Sequence, residues 1–144
     1  MISYQRKEHG VAAVEFLITI PVLMVILVGI TELGNALIRY NSINKLVQNG
    51  VRYATSDITG TATYDAIALP SEIKNMVVYG KPTASTGDTP LLSGLTTADV
   101  FVVHDAGYVT ITVNHTYTPL LNIIPDSVNF NVPLNASAVM RTAP

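Results

Sequence analysis

The sequence predicts an α+β protein in which one long N-terminal helix packs against a small antiparallel β-sheet. Three observations predict it. An apolar run stays uncharged from Phe16 through Thr31. Apolar residues then recur at spacings of three and four from Leu33 to Ala54, the period of a helix with one buried face. In the last third of the chain the apolar residues alternate with polar ones at period two, the pattern of half-buried strands.

The first half of the helix reads as membrane-spanning. As a helix, Val11 to Ile30 is about 30 Å long, which matches a bilayer core. Its Phe, Leu, Ile and Val residues contribute about −0.3 to −0.6 kcal/mol each, roughly −5 kcal/mol together, towards insertion. Glu15 opposes this by at most about 3 kcal/mol, and by less because it lies near the end of the run. Arg6 and Lys7 precede the run while Arg39 and Lys45 lie well beyond it, so the N-terminus is expected on the cytoplasmic side. A cleavable secretory signal fits less well. Its apolar region would be about 7–15 residues long and end in a small-x-small site, whereas this run is longer and no Ala-x-Ala follows.

The start of the run has two readings. In one, Gly10 is an ordinary helix-start residue and Glu15 snorkels to the surface, where a helix N-terminus favours a carboxylate. In the other, Gly10 and Val11 form a prepilin-type cleavage site. A basic leader ends in Gly, an apolar residue follows, and a Glu occupies the fifth position of the mature chain. Cleavage would leave an ammonium on Val11, and Glu15 would attract the Val11 terminus of a neighbouring subunit strongly in low dielectric. Pro21 lies inside the run, lacks an N–H and crowds the carbonyl of Leu17, so a kink is expected there, with Thr19 placed to rebond the freed carbonyl.

Beyond Thr31 the helix is expected to continue into water. Leu33, Ala36, Leu37, Tyr40, Ile43, Leu46, Val47, Gly50, Val51 and Ala54 form its buried stripe, with Glu32, Arg39 and Lys45 among the polar residues between them. Asp57 to Thr61, with Gly60, reads as the stop. The domains are thus a leader at 1–10, a membrane segment at 11–31, an amphipathic continuation at 32–56 and a small extracytoplasmic α+β domain at 57–144. Within that domain, Pro70-Ser71-Glu72 suggests a helix start capped by Ser71, while Val77, Val78 and Tyr79 favour a strand, so the element type stays open. Lys81 to Ala98 is rich in Gly, Pro, Ser and Thr and reads as an exposed loop. Strands are expected at Val100–His104, Tyr108–Thr118 and Val128–Met140, the first two joined by Asp105-Ala-Gly107. Val109, Ile111, Val113, His115 and Tyr117 should face inward, as should Phe130, Val132, Leu134, Ala136, Ala138 and Met140. Pro133 marks the last strand as an edge or a bulge.

Composition excludes much. The chain is 49% hydrophobic and 12% charged, with a net charge of −2 and no basic cluster to hold nucleic acid. There is no cysteine, hence no disulfide and no thiolate metal site. His9, His104 and His115 lack metal-ligand spacing, and His115 belongs to the inward series of its strand. His104 and Asp105 are strand neighbours and point to opposite faces, which denies them the geometry of a general-base pair. Asp88, Asp99, Asp105 and Asp126 form no calcium loop, and no phosphate loop or nucleophile elbow is present. Asn114-His-Thr116 and Asn135-Ala-Ser137 match the glycosylation sequon, but each falls in an expected strand. No enzyme activity, cofactor, nucleic-acid partner or small-molecule substrate is expected.

At this point the residues resemble the TadE-like proteins of tight-adherence pilus systems. The resemblance rests on GVAAVEFLITIPVLMVILVGITELGN, on Asn49-Gly-Val-Arg-Tyr-Ala54 and on Ala136-Ser-Ala-Val-Met-Arg141, covering roughly the first third of the chain and its last few residues. The family commonly shows Gly-x-Ala-Ala-Val-Glu-Phe, then Glu-x-Gly-Arg, then Gly-Ala-Arg; here Asn35 and Val51 stand where Arg and Ala are usual. The resemblance implies a pilin-like fold and a pseudopilin or minor pilin in the bacterial inner membrane. Its implied partners are the lipid bilayer, an aspartyl prepilin peptidase, and other pilin-like subunits, either a major pilin or a sister pseudopilin. A single-pass anchored binding module with an uncleaved N-terminus is the alternative.

Overall fold

The computed structural model describes residues 8–56, 66–119 and 131–142. Helix α1 spans Glu8–Ser56, α2 spans Pro70–Tyr79, and three strands follow: β1 (Val100–Asp105), β2 (Tyr108–Tyr117) and β3 (Val132–Arg141). The sheet is antiparallel in the order β1-β2-β3. This is the expected α+β arrangement of a long helix and a small sheet. The expected helix stop at Asp57–Thr61, the start of the last strand at Val128, Phe130 and Asp126 lie outside the described residues.

Two compact units divide α1, which contributes its residues up to Asn35 to one and its residues from Ala36 to the other. In the first, every residue from Val11 to Leu27 is exposed. In the second, Ile43, Val47, Val51 and Ala54 are buried with the inward residues of α2 and the sheet. Each of the larger ones contributes about 1.5–3 kcal/mol by leaving water, so packing rather than propensity seats this part of the helix. The residue at the crossing is Gly50. A Cβ there would lie 2.5 Å from Val77 Cγ2 on α2 and 3.2 Å from Ile111 Cδ1 on β2. Tyr53 adds a polar tie across the two helices, its hydroxyl donating to Glu72 Oε2 at 3.3 Å.

The expected stripe on α1 is narrower than its sequence period. Leu33, Leu37 and Tyr40 are 62%, 55% and 40% exposed. At about 100° per residue Leu37 and Tyr40 lie roughly 100° and 40° round the helix from the Ala36–Ile43–Val47 line, on the flank of the buried face, whereas Leu33 shares the angular position of the buried Val51 but belongs to the first unit.

The open element at 70–79 is a helix. Pro70 occupies its first turn with Leu69 at the cap position, so Ser71 is not the N-cap, and Glu72 adds a first-turn carboxylate. Ile73, Val77 and Val78 are buried at helical spacing, which outweighs the strand preference of the Val-Val-Tyr end. Gly80 closes the helix with a left-handed φ of 74°, its N–H donating to Met76 O.

The stretch from Lys81 to Ala98 is more structured than a free loop. Leu91 N–H donates to Val78 O at 2.8 Å, and Asn75 Nδ2 donates to Pro82 O at 2.9 Å. Lys81 Nζ meets Asp88 Oδ1 at 2.7 Å. The Lys81 bond and the Ser85 N–H hold the Asp88 carboxyl below the usual range. Leu95 is fully buried in the core. Leu91, Leu92 and Leu95 are the three leucines of this stretch, too few among Gly, Pro, Ser and Thr to mark which of them the core takes.

Strands β1 and β2 meet in a two-residue turn at Ala106 and Gly107, both with positive φ (48° and 77°), the signature of a type I′ hairpin. The inward series of β2 is as expected: Val109, Ile111, Val113, His115 and Tyr117 are all buried. On β3, Leu134 and Ala136 are buried and Ala138 and Met140 pack beside them. Val132, at the first position of an edge strand, is instead 42% exposed. Pro133, opposite Thr116, lies on that edge strand, as expected for a residue unable to donate to a central ladder.

Candidate processing and assembly site

The residues singled out at the N-terminus lie together on one turn of α1. Gly10 lies near the start of the described part of α1, whose described residues begin at Glu8. Nothing lies within 4 Å of a methyl placed on it. Val11 and Glu15 are four apart and share a helix face, and with Gly10, Val14 and Ile18 they line a shallow open groove. Val11, Val14 and Ile18 are 69%, 61% and 66% exposed. The Glu15 carboxylate therefore stands on an apolar surface one turn from the Gly10–Val11 bond.

Thr19 does not serve the carbonyl that Pro21 frees. Its hydroxyl donates to Glu15 O at 2.7 Å, because a helical threonine reaches back four residues along its own face. The assigned helix runs through Pro21 without interruption.

Glu32 is the residue that the sequence pattern misplaced. It was expected among the polar residues outside the stripe, yet it is 1% exposed. A carboxylate that deep must be partnered, and it is. The Glu-x-Gly element of the family pattern is the signal that could have marked it.

The polar residues of the second unit form structural contacts. The Arg39 guanidinium lies 5.3 Å from the ring centroid of the buried Tyr117, a cation–π pairing, and its Nη1 donates to Ser93 O at 3.5 Å. Asp99 caps the short 3₁₀ turn Thr97–Asp99, accepting from Thr96 N–H at 2.8 Å and from its hydroxyl at 2.9 Å. His104 Nε2 lies 3.4 Å from Thr142 Oγ1, away from any carboxylate pairing with Asp105, which continues the strand. Among the described residues no group of three or more His, Asp or Glu side chains is placed to hold a metal ion.

His115 is 9% exposed. Burial pushes its pKa down, Asp99 opposes that, and Arg39 adds to it. The folded-state pKa lies below the unfolded one, so protonation favours the unfolded chain. Stability is therefore complete above the ordinary histidine pKa, about 6.5, and declines as pH falls through it. Between pH 7.5 and 5.5 the melting temperature should drop, and His115→Gln should flatten that drop; an equal drop in both proteins would exclude His115 as its source.

α1 is long and apolar enough to cross a membrane, and its most apolar stretch is unburied. No curated protein and no solved structure matches the chain. The C-terminal Ala136–Arg141 element lies outside the stretch that a family model matches. That stretch is residues 10–52, beginning at Gly10 and covering α1 almost to its end, and the family it matches is the TadE-like proteins.

Proposed function

We propose that this chain is a pseudopilin or minor pilin of a tight-adherence pilus, matured by prepilin peptidase cleavage between Gly10 and Val11. The observation that carries the reading is a coincidence at one point: the family match begins at Gly10, an apolar residue follows it, and Glu15 stands at the head of an apolar segment exposed from Val11 to Leu27. Such a helix is stable in lipid because its backbone groups bond internally. The basic leader keeps the N-terminus cytoplasmic, and residues 57–144 form the extracytoplasmic domain. Glu15 then pairs with the new ammonium of a neighbouring pilin-like subunit, where low dielectric strengthens the attraction. Pro21 bends the helix within the bilayer and helps it follow its neighbours.

N-terminal sequencing of the protein from membranes with and without the peptidase tests this. A chain beginning at Val11 only when the peptidase is present is the expected result. A retained leader in both would sink the proposal and leave an anchored binding module.

A further inference from the structure

The outward face of the sheet is neither uniformly polar nor uniformly apolar, and its charges are arranged in a particular way. Strand register places its residues in cross-strand rungs. One rung carries Asp105 on β1, Tyr108 on β2 and Arg141 on β3; the next carries Val103, Thr110 and Val139. Phe101 follows on β1. Phe101, Val103, Tyr108 and Val139 are 50%, 58%, 49% and 58% exposed. A solvated outer face would be expected to carry polar residues there. Asp105 and Arg141 stand at opposite edges of the same rung, two strand spacings or about 10 Å apart, and among the described residues no ion pair joins them.

We propose that this face is covered by the same face of a second copy, related by a two-fold axis parallel to β2. That operation lays β1 of each copy over β3 of the other and β2 over β2. Asp105 then meets Arg141 of the other copy twice over, Val103 meets Val139 twice over, and Thr110 lies at the axis. Opposed sheets with strands nearly aligned and about 10 Å apart are an ordinary packing, and a two-fold interface needs just this self-complementarity.

Charge selects a second copy over other occupants. A purely acidic partner would leave Asp105, and a purely basic one Arg141, facing its own sign, and lipid would desolvate both. The face is small, on the order of 300–400 Å² per copy from three strands and three rungs, so the contact is weak in free solution. Copies anchored in one membrane are concentrated relative to one another, which offsets that weakness. This concentration rests on the membrane reading above, whereas the geometry of the contact is independent of leader cleavage.

The chain has no cysteine, so engineered ones report without ambiguity. In full-length protein in lipid vesicles, Thr110→Cys should link two copies through a short bis-maleimide at least five-fold more than Ser85→Cys, an exposed loop position. Asp105→Arg and Arg141→Asp should each reduce that yield at least five-fold, and the two together should restore it. Linkage at Thr110 no greater than at Ser85, linkage to a different protein, or failure of the double reversal to restore the yield would overturn the proposal. Running the assay on leader-bearing and processed chains separates its failure from failure of the pilin reading.

Discussion

Replacing Gly50 with valine is expected to cost about 3 kcal/mol of stability, a large part of the roughly 5–15 kcal/mol that holds a domain folded. The Cβ alone would meet Val77 Cγ2 at 2.5 Å and Ile111 Cδ1 at 3.2 Å. Neither neighbour yields easily. Val77 and Ile111 are fully buried, and a helical valine has one strongly preferred rotamer. Relief must come from moving α1 away from α2 and β2, which opens the core over Ile43, Val47 and Val51. Alanine at the same site gains about 1 kcal/mol of helix propensity against a smaller clash, so its net loss should be less. Gly34→Ala is the control, since nothing lies within 4 Å of the added methyl. Denaturant unfolding of the full-length protein in detergent measures all three. A midpoint for Gly50→Val indistinguishable from the parent would show that α1 does not cross α2 and β2 at this residue.

On the proposed function, Gly10→Leu should leave the leader on every molecule. A membrane peptidase must draw the scissile bond out of the helix, and glycine makes that inexpensive because it disfavours helix by about 1 kcal/mol relative to alanine. Leucine removes that advantage and adds a side chain where the backbone has to approach the catalytic groups closely. Insertion should be unaffected, because the change adds apolar surface at the end of the run. Intact mass in peptidase-positive cells should show the full 144-residue chain for the variant and a chain ten residues shorter for the parent. Processing of Gly10→Leu to the parent's extent would break the link between this glycine and maturation.

Where periodicity was long, the sequence was readable. The inward series of β2 and the helical run from the apolar segment to Ala54 both stand in the structure, because each repeats one spacing over many residues. Pro133 announced an edge strand by what its ring cannot do. Short segments were less legible. At 70–79, β-branched residues argued for a strand, and the winning signals were a proline at the first turn, a glycine at the end and burial at helical spacing. Leu95 is buried within a short loop, with Leu92 packed against the same core, and Glu32 is buried on a helix whose other charged residues face out, so hydrophobic period marks neither. Leu37 and Tyr40 share the helical period of the core stripe, yet period alone does not say how wide a face the sheet and α2 will cover. At the candidate site, Gly10, Val11 and Glu15 are chosen from spacing alone, while the Thr19 bond to Glu15 O was not legible, since it depends on which carbonyl a hydroxyl reaches first.

Pro133 also bears on how the sheet avoids unwanted association. Open sheet edges invite another strand to add, the route by which chains polymerise into fibrils. At the β3 edge the proline nitrogen offers no hydrogen to an incoming backbone, and its ring stands where a neighbouring strand would approach. Strand addition along β3 is interrupted at that register, so the rim of the sheet is closed to a further strand there while the sheet's face stays open to the contact proposed above.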